Sequence, residues 1–476
     1  MKLLSLLSTA SVVAAFTLPP ELDITDSKSI KLVAGTLAFD AMSYYKGNYS
    51  DYPKDLGDLQ DPYYWWVAGA LWGAMLDYYH YTGDATYNDV VIDALLGPTN
   101  LGKNNDYMPP EHADEEGNDD LFFWGSAVLS AAERNFPQPN KDLPSWLQIS
   151  ENVFNELVGR WNTTHCNGGL LWQIYPSNPN GMNYKNSVSN GGFFQLAARL
   201  ARATGNDTYL DWAEKVWDWS YDVGFIDEST YHVYDGADSR DNCQEVNKFS
   251  FTYTSGIYLY GAAVMANYTK KDEWKTRTEM LFEGAGWFFS PFDNSTNVMY
   301  EAACEKVNRC NYDMSTFKGY LARFMYLTTQ LVPSLREKIT SYLHPSAQAA
   351  AKSCSGGKTG TKCGMRWYTG GYDGNPGLGQ EMCALEVIQG LLVDDAPVPL
   401  QGKDIEVIRE REWNASDKVK IKSTPTTTSK PASTGAATEA AKASETDKDD
   451  AANLTQGSLV YVSLSVSAVL LFLGLA

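Results

Sequence analysis

The chain has 476 residues, 44% of them apolar, and its 58 Asp and Glu against 38 Lys and Arg give a formal net charge of −20. That apolar content excludes wholesale disorder, and the acidic balance speaks against a nucleic-acid partner, which needs a basic face. The 14 Trp, 29 Tyr and 18 Phe suit either a neutral, hydroxyl-rich ligand stacked on rings or a large helical core.

From the N-terminus, residues 1–17 hold one Lys, an apolar run over 3–16 and small residues at Val13, Ala14 and Ala15, the pattern of a secretory signal peptide. Residues 18–413 form the body. Residues 414–453 are expected to be a stalk, because 423–444 is rich in Thr, Ser, Ala, Pro and Lys and cannot bury a core. Residues 454–476 turn apolar from Leu459 onward, behind small residues and a polar spacer. That order reads as a GPI-attachment signal, with Asp450 or Asn453 as the attachment residue. The expectation is a secreted protein held on the outer face of the plasma membrane or in a cell wall. Sequons for N-glycosylation begin at Asn48, Asn162, Asn206, Asn267, Asn294, Asn414 and Asn453.

Within the body, apolar residues recur at helical spacing. Twelve helices are predicted, over 27–46, 63–81, 85–97, 119–135, 145–160, 190–203, 207–222, 252–268, 272–288, 315–331, 334–351 and 377–392. Punctuation repeats between them: Thr82-Gly83-Asp84 and Thr204-Gly205-Asn206, with weaker echoes at Leu143-Pro144-Ser145, Thr269 and Val332-Pro333-Ser334, 61 to 65 residues apart. A fixed period of that kind signals a repeat architecture. The even-numbered helices carry Gly69, Gly73, Gly125, Gly191, Gly192, Gly256, Gly261, Gly319 and Gly379, small residues that let crowded backbones approach. The odd-numbered ones are amphipathic. Six inner and six outer helices make an all-α fold, an (α/α)6 barrel.

Connections from inner to outer helices are short, and those from outer to inner are long: 47–62, 98–118, 162–189, 224–250, 290–314 and 352–376. All six long loops must therefore gather at the N-termini of the inner helices, where function is expected. Six cysteines lie in them: Cys166, Cys243, Cys304, Cys310, Cys354 and Cys363. Cys304 with Cys310, and Cys354 with Cys363, can each close a small loop, which would leave Cys166 for Cys243 and Cys383 as a buried thiol. Spacing does not fix the connectivity. No Cys-x-x-Cys spacing suggests a metal, no Gly-rich phosphate loop precedes a helix, and no cofactor is expected. His80, His112, His165, His232 and His344 read as structural.

The third-to-fourth-helix loop ends in Asn118-Asp119-Asp120-Leu121-Phe122-Phe123-Trp124-Gly125. Two carboxylates on the loop face suit glycoside hydrolysis, which needs one carboxyl as acid and another as nucleophile or base. Crowding of like charges favours keeping one of them protonated. An Asp at a helix start is also a common N-cap. The segment resembles the signature of the family 76 glycoside hydrolases, the α-1,6-mannanases. The resemblance continues through Gly168-Gly169-Leu170-Leu171-Trp172, Lys185-Asn186, Asn190-Gly191, Tyr234-Asp235-Gly236 and Phe317-Lys318-Gly319 with Arg323, and covers about residues 22–395. With the two end segments it is most similar to the fungal GPI-anchored branch of that family.

The resemblance implies that Asp119 is the nucleophile and Asp120 the acid/base. It implies a retaining reaction on α-mannan or a GPI-core glycan, and for the fungal branch, transfer to wall glucan that cross-links GPI-proteins to the wall. Asp235 is implied to hold mannose hydroxyls. Asn118, Asp61, Trp65, Trp124, Trp172, Asn190 and Lys318 are further substrate-binding candidates. All but Asp61 have a structural alternative: an ordinary Asp-Gly turn for Asp235, core packing for the Trp residues, helix capping for the Asn residues and an ion pair for Lys318. A non-catalytic mannan- or GPI-glycan-binding wall protein is the rival function, and a monomer is expected.

Overall fold

The computed structural model describes residues 21–47, 55–178, 181–292 and 294–405. The signal segment, Asn48, and the stalk and GPI signal with Asn414 and Asn453 lie outside the described residues.

Six helices, α2 (Trp65–Thr82), α5 (Asn118–Glu133), α7 (Ser187–Thr204), α9 (Thr252–Thr269), α11 (Phe317–Leu331) and α13 (Leu378–Gln389), each pack on the next, and α13 returns to α2. This ring is the inner wall. Around it stand α1 (Ser27–Met42), α3 (Asn88–Leu95), α6 (Trp146–Gly159), α8 (Asp207–Asp222), α10 (Asp272–Ala285) and α12 (Arg336–Ser353). The one-turn α4 (Pro98–Leu101) lies in the loop before α5. The chain is an (α/α)6 barrel. Inner helices are buried on nearly every side, so that in α7 only Thr204 is not buried. Outer helices bury one stripe, as α8 does with Tyr209, Ala213, Val216, Trp217 and Trp219.

The repeated punctuation has a physical cause. Gly83 and Gly205 end α2 and α7 at φ 75° and 74°, left-handed values that suit glycine. The Thr before each glycine donates its hydroxyl back to the carbonyl four residues earlier, Tyr78 or Leu200, and accepts from the backbone N–H two residues on. Thr269 does the same at the end of α9, with Lys270 at φ 58° in the glycine's place. Close approach also governs the ring: a Cβ on Gly256 would lie 2.9 Å from Leu321 Cα, so α9 and α11 touch backbone to backbone.

Buried ion pairs cross the ring. Arg323 on α11 reaches Asp77 on α2 and Glu386 on α13, both at 2.7 Å, while Arg134 also pairs with Asp77. Arg199 on α7 holds Glu133 on α5 at 2.8 Å. Three short antiparallel strands decorate the loop end: β1 (Tyr184–Asn186) pairs with β2 (Gly236–Asp238), and β2 with β3 (Val246–Asn247). Disulfides join Cys166 to Cys243, Cys304 to Cys310 and Cys354 to Cys363, and Cys383 is a buried free thiol.

Candidate active site

The long loops crown the N-termini of the inner helices, and α5 opens there with Asn118, Asp119 and Asp120. The segment is pinned from the side: Asn118 N donates to Trp172 O, and Asn118 Nδ2 to Leu171 O, each at 2.9 Å. Asp120 Oδ2 accepts from Gly117 N at 2.7 Å, the carboxylate half of a capping box. Asp119 Oδ1 is buried without a hydrogen-bond partner. A Cβ on Gly117 would strike Asp119 Oδ1 and lie 2.8 Å from Asp120 Oδ2. Only glycine fits between the two carboxyls. Both carboxyls thus border that one position, and a retaining glycosidase likewise holds its two carboxyls close together.

Burial lifts the Asp119 carboxyl above the ordinary aspartate range, against the pull of the N–H groups opening α5. Asp120 is pushed higher still, by burial first, then by the Asp119 charge, with Glu115 adding to it. Burial and mutual repulsion thus keep one proton on the pair after the first has left.

Aromatic rings floor the mouth. Phe123 lies 4.5 Å from Trp66, 5.0 Å from Tyr320 and 6.4 Å from Tyr253, and Tyr253 stacks on Phe317 at 3.7 Å. The Tyr253 phenol is raised by burial first, with the charges of Asp235, Asp119, Asp313 and Glu301 adding to it. Asp235 Oδ2 accepts from Tyr184 Oη at 2.6 Å and from Asn247 Nδ2 at 3.1 Å. The β1–β2–β3 pairing brings those three residues together, and the Cys166–Cys243 bridge ties the same two loops. Asp313 accepts from Trp66 Nε1 at 3.0 Å, and burial pushes it up to about 6.

Of the sequence candidates, Asp119 and Asp120 open α5 and Asp235 lies in the loop before α9, at the same end of the barrel, with half-buried Trp172 holding the Asn118 backbone. Asp61 is exposed on the loop before α2 and takes no part in the hydrogen bonds that organise the pair. Four candidates belong to the framework instead. Trp65, 1% exposed, stacks between His112 and Trp124 and donates to Asn100 Oδ1 at 2.7 Å. Trp124 is fully buried over Gly69. Neighbouring residues on a helix point in different directions, so Trp66 faces the mouth while Trp65 enters the core. Asn190 exchanges hydrogen bonds with Leu170 N and O, and its Nδ2 also reaches Asn186 O. Lys318 pairs with Glu305 at 2.8 Å beneath the loops and lies 3.9 Å over Trp367. Asn118 also serves the loop through Nδ2, although its Oδ1 is buried without a partner.

Asp313 and Tyr253 escaped the sequence reading. Asp313 stands just ahead of an inner helix and Tyr253 opens another, the placement that singled out Asp119. Among the sequons, Asn206 and Asn294 are exposed and Asn162 half-buried. Asn267 instead sits within α9, its Nδ2 donating to Leu331 O.

A barrel of six plus six helices, with paired carboxylates at the mouth of an aromatic-floored cleft, defines a glycoside hydrolase of the (α/α)6 class. The chain belongs to glycosyl hydrolase family 76, whose signature matches residues 29–403. It is 47% identical over 392 residues to the mannan endo-1,6-α-mannosidase DCW1 of Eremothecium gossypii, covering 82% of this chain and 85% of that one. It is 44% identical over 381 residues to the mannan endo-1,6-α-mannosidase DFG5 of Saccharomyces cerevisiae, covering 80% and 81%. Among solved structures, Dfg5 from Chaetomium thermophilum in complex with glucosamine superposes with a TM-score of 0.75 at 42% identity, over 80% of this chain and 94% of that one. An inactive variant of the α-1,6-mannanase GH76A of Salegentibacter, in complex with α-1,6-mannotriose, shares the fold at 19% identity and a TM-score of 0.60, over 76% and 99%.

Proposed function

We propose that this chain is a retaining endo-α-1,6-mannosidase that works by double displacement. Asp119 attacks the anomeric carbon as Asp120 passes its proton to the leaving glycosidic oxygen, and a mannosyl ester forms on Asp119. Asp120, now a carboxylate, takes the proton from an incoming hydroxyl, whose oxygen displaces Asp119 from the anomeric carbon. The observation that carries the reading is the Asp119–Asp120 pair at the start of α5: two adjacent carboxyls, Asp120 anchored by the Gly117 N–H, and both raised by burial. The names of the relatives at 44–47% identity support α-1,6-linked mannan as the substrate.

The incoming hydroxyl belongs to water or to a sugar. With the signal and anchor segments read from the sequence, the proposed setting is the outer cell surface. There a GPI-core glycan is the donor and wall glucan the acceptor. Asp119→Asn and Asp120→Asn should each lower kcat on α-1,6-mannan by about 10³-fold or more while the chain still folds. Full activity in both variants would overturn the assignment of catalysis to this pair, and an unmutated chain that binds mannan without turnover would leave a non-catalytic glycan-binding protein. An activated mannosyl donor should leave one mannosyl mass on Asp119, and labelling of another carboxylate would overturn the roles.

A further inference from the structure

We infer that Asp313 is a substrate-binding residue, whose free carboxylate oxygen accepts a hydroxyl of the mannose chain on the wall of the cleft facing the catalytic pair. The inference rests on the mannosidase reading above and adds a residue to it.

Ring order places Asp313. The inner helices run α2, α5, α7, α9, α11, α13 around the barrel, so α11 stands across the mouth from α5. Asp119 and Asp120 open α5, and Asp313 lies in the loop that delivers α11. A sugar over the Phe123–Tyr253–Phe317 floor then has the reacting pair on one side and Asp313 on the other. Asp313 accepts from Trp66 Nε1, and the Trp66 ring lies 4.5 Å from Phe123, which seats the carboxylate at the edge of that aromatic floor.

The two oxygens of Asp313 are used unequally. Oδ1 accepts from Trp66 Nε1 at 3.0 Å, which orients the group. Oδ2 takes part in no hydrogen bond or ion pair among the described residues, yet it is not sealed away as Asp119 Oδ1 is. A carboxylate with one oxygen anchored and one open is an acceptor for a neutral hydroxyl, and it is the stronger for being charged. Asp235 presents its carboxylate from the loop before α9, anchored by Tyr184 and Asn247. A mannose chain crossing the mouth thus meets an anchored carboxylate on two neighbouring loops, as an enzyme cutting within a chain requires.

The test uses the full chain carrying Asp119→Asn and Asp120→Asn, which binds substrate without turnover. Calorimetry should show α-1,6-mannotriose binding to this parent. Adding Asp313→Asn, which keeps an acceptor for Trp66 Nε1, should weaken binding about 10-fold, and Asp313→Ala up to about 100-fold. With the catalytic pair intact, Asp313→Asn should raise KM on α-1,6-mannan by about 10-fold while kcat stays within a few-fold. Asp313→Asn is the decisive variant if the alanine variant unfolds. Equal mannotriose affinity with and without Asp313→Asn overturns the assignment and leaves the mannosidase reading standing. A parent that binds no mannotriose overturns both.

Discussion

At the residue scale, the pair depends on a neighbour with no side chain. Gly117 gives Asp120 its N–H and leaves the space that both carboxyls occupy. Gly117→Ala should therefore cut kcat by about 100-fold, because a displacement near 1 Å at the reacting groups costs that much. The melting temperature should move little, and stopped assays beside thermal unfolding check both. Proton order follows from the same crowding. On the proposed mechanism activity needs Asp119 ionised and Asp120 protonated, and burial raises both. The kcat/KM profile should be a bell whose acid limb lies well above the usual aspartate value of about 3.9. Asp120→Gly, assayed with an activated donor that needs no acid, should lose the alkaline limb.

At the element scale, the cleft walls are loops held from beneath by polar groups. Lys185 on β1 donates to Asn162 O at 2.9 Å, to His165 O at 2.8 Å and to Gly168 O. Those carbonyls shape the loop leading to Leu171 and Trp172, which in turn pin the start of α5. Lys185→Met leaves three carbonyls without their donor. It should lower stability by about 1–3 kcal/mol and raise KM more than it lowers kcat, measured by denaturant unfolding and by kinetics on mannan. Lys185-Asn186 and Asn190 were legible as a sequence pattern, but their use was not. Asn190 exchanges its bonds with Leu170, 20 residues earlier, and nothing in the local sequence says that such a residue holds a loop rather than a sugar.

At the scale of the whole molecule, the ring is closed by apolar burial and fixed in register by ion pairs. Arg323 ties α11 to α2 and α13 at once. Arg323→Met leaves Glu386 buried without its partner and should cost about 3–5 kcal/mol, read from chemical denaturation. Stability should also fall with rising pH. Burial pushes Glu301 and Glu381 up from 4.5 to about 8 in the folded state. Unfolded, they ionise near their ordinary value, so the folded chain binds more protons between those limits. Their contribution is complete below about pH 4.3 and is lost as the pH climbs to 8. Differential scanning fluorimetry should show the melting temperature dropping across that window, with a shallower slope in Glu301→Gln.

The sequence by itself determined the periodicity, and so the fold. All twelve principal helices lie within a few residues of their predicted spans, because helical spacing and Thr-Gly punctuation are local properties of the chain. It also singled out the proposed catalytic pair, since Asp119 and Asp120 are adjacent and need no folding to meet. Only the tertiary structure decided which aromatic and polar residues face the cleft. Trp65 and Trp66 are neighbours in sequence, yet one joins the core and the other anchors Asp313, 247 residues away. That choice depends on how each inner helix is rotated in the ring, and the rotation is set by packing against partners far along the chain. The same holds for Asp313 itself, whose place across from Asp119 exists only once α13 has closed on α2.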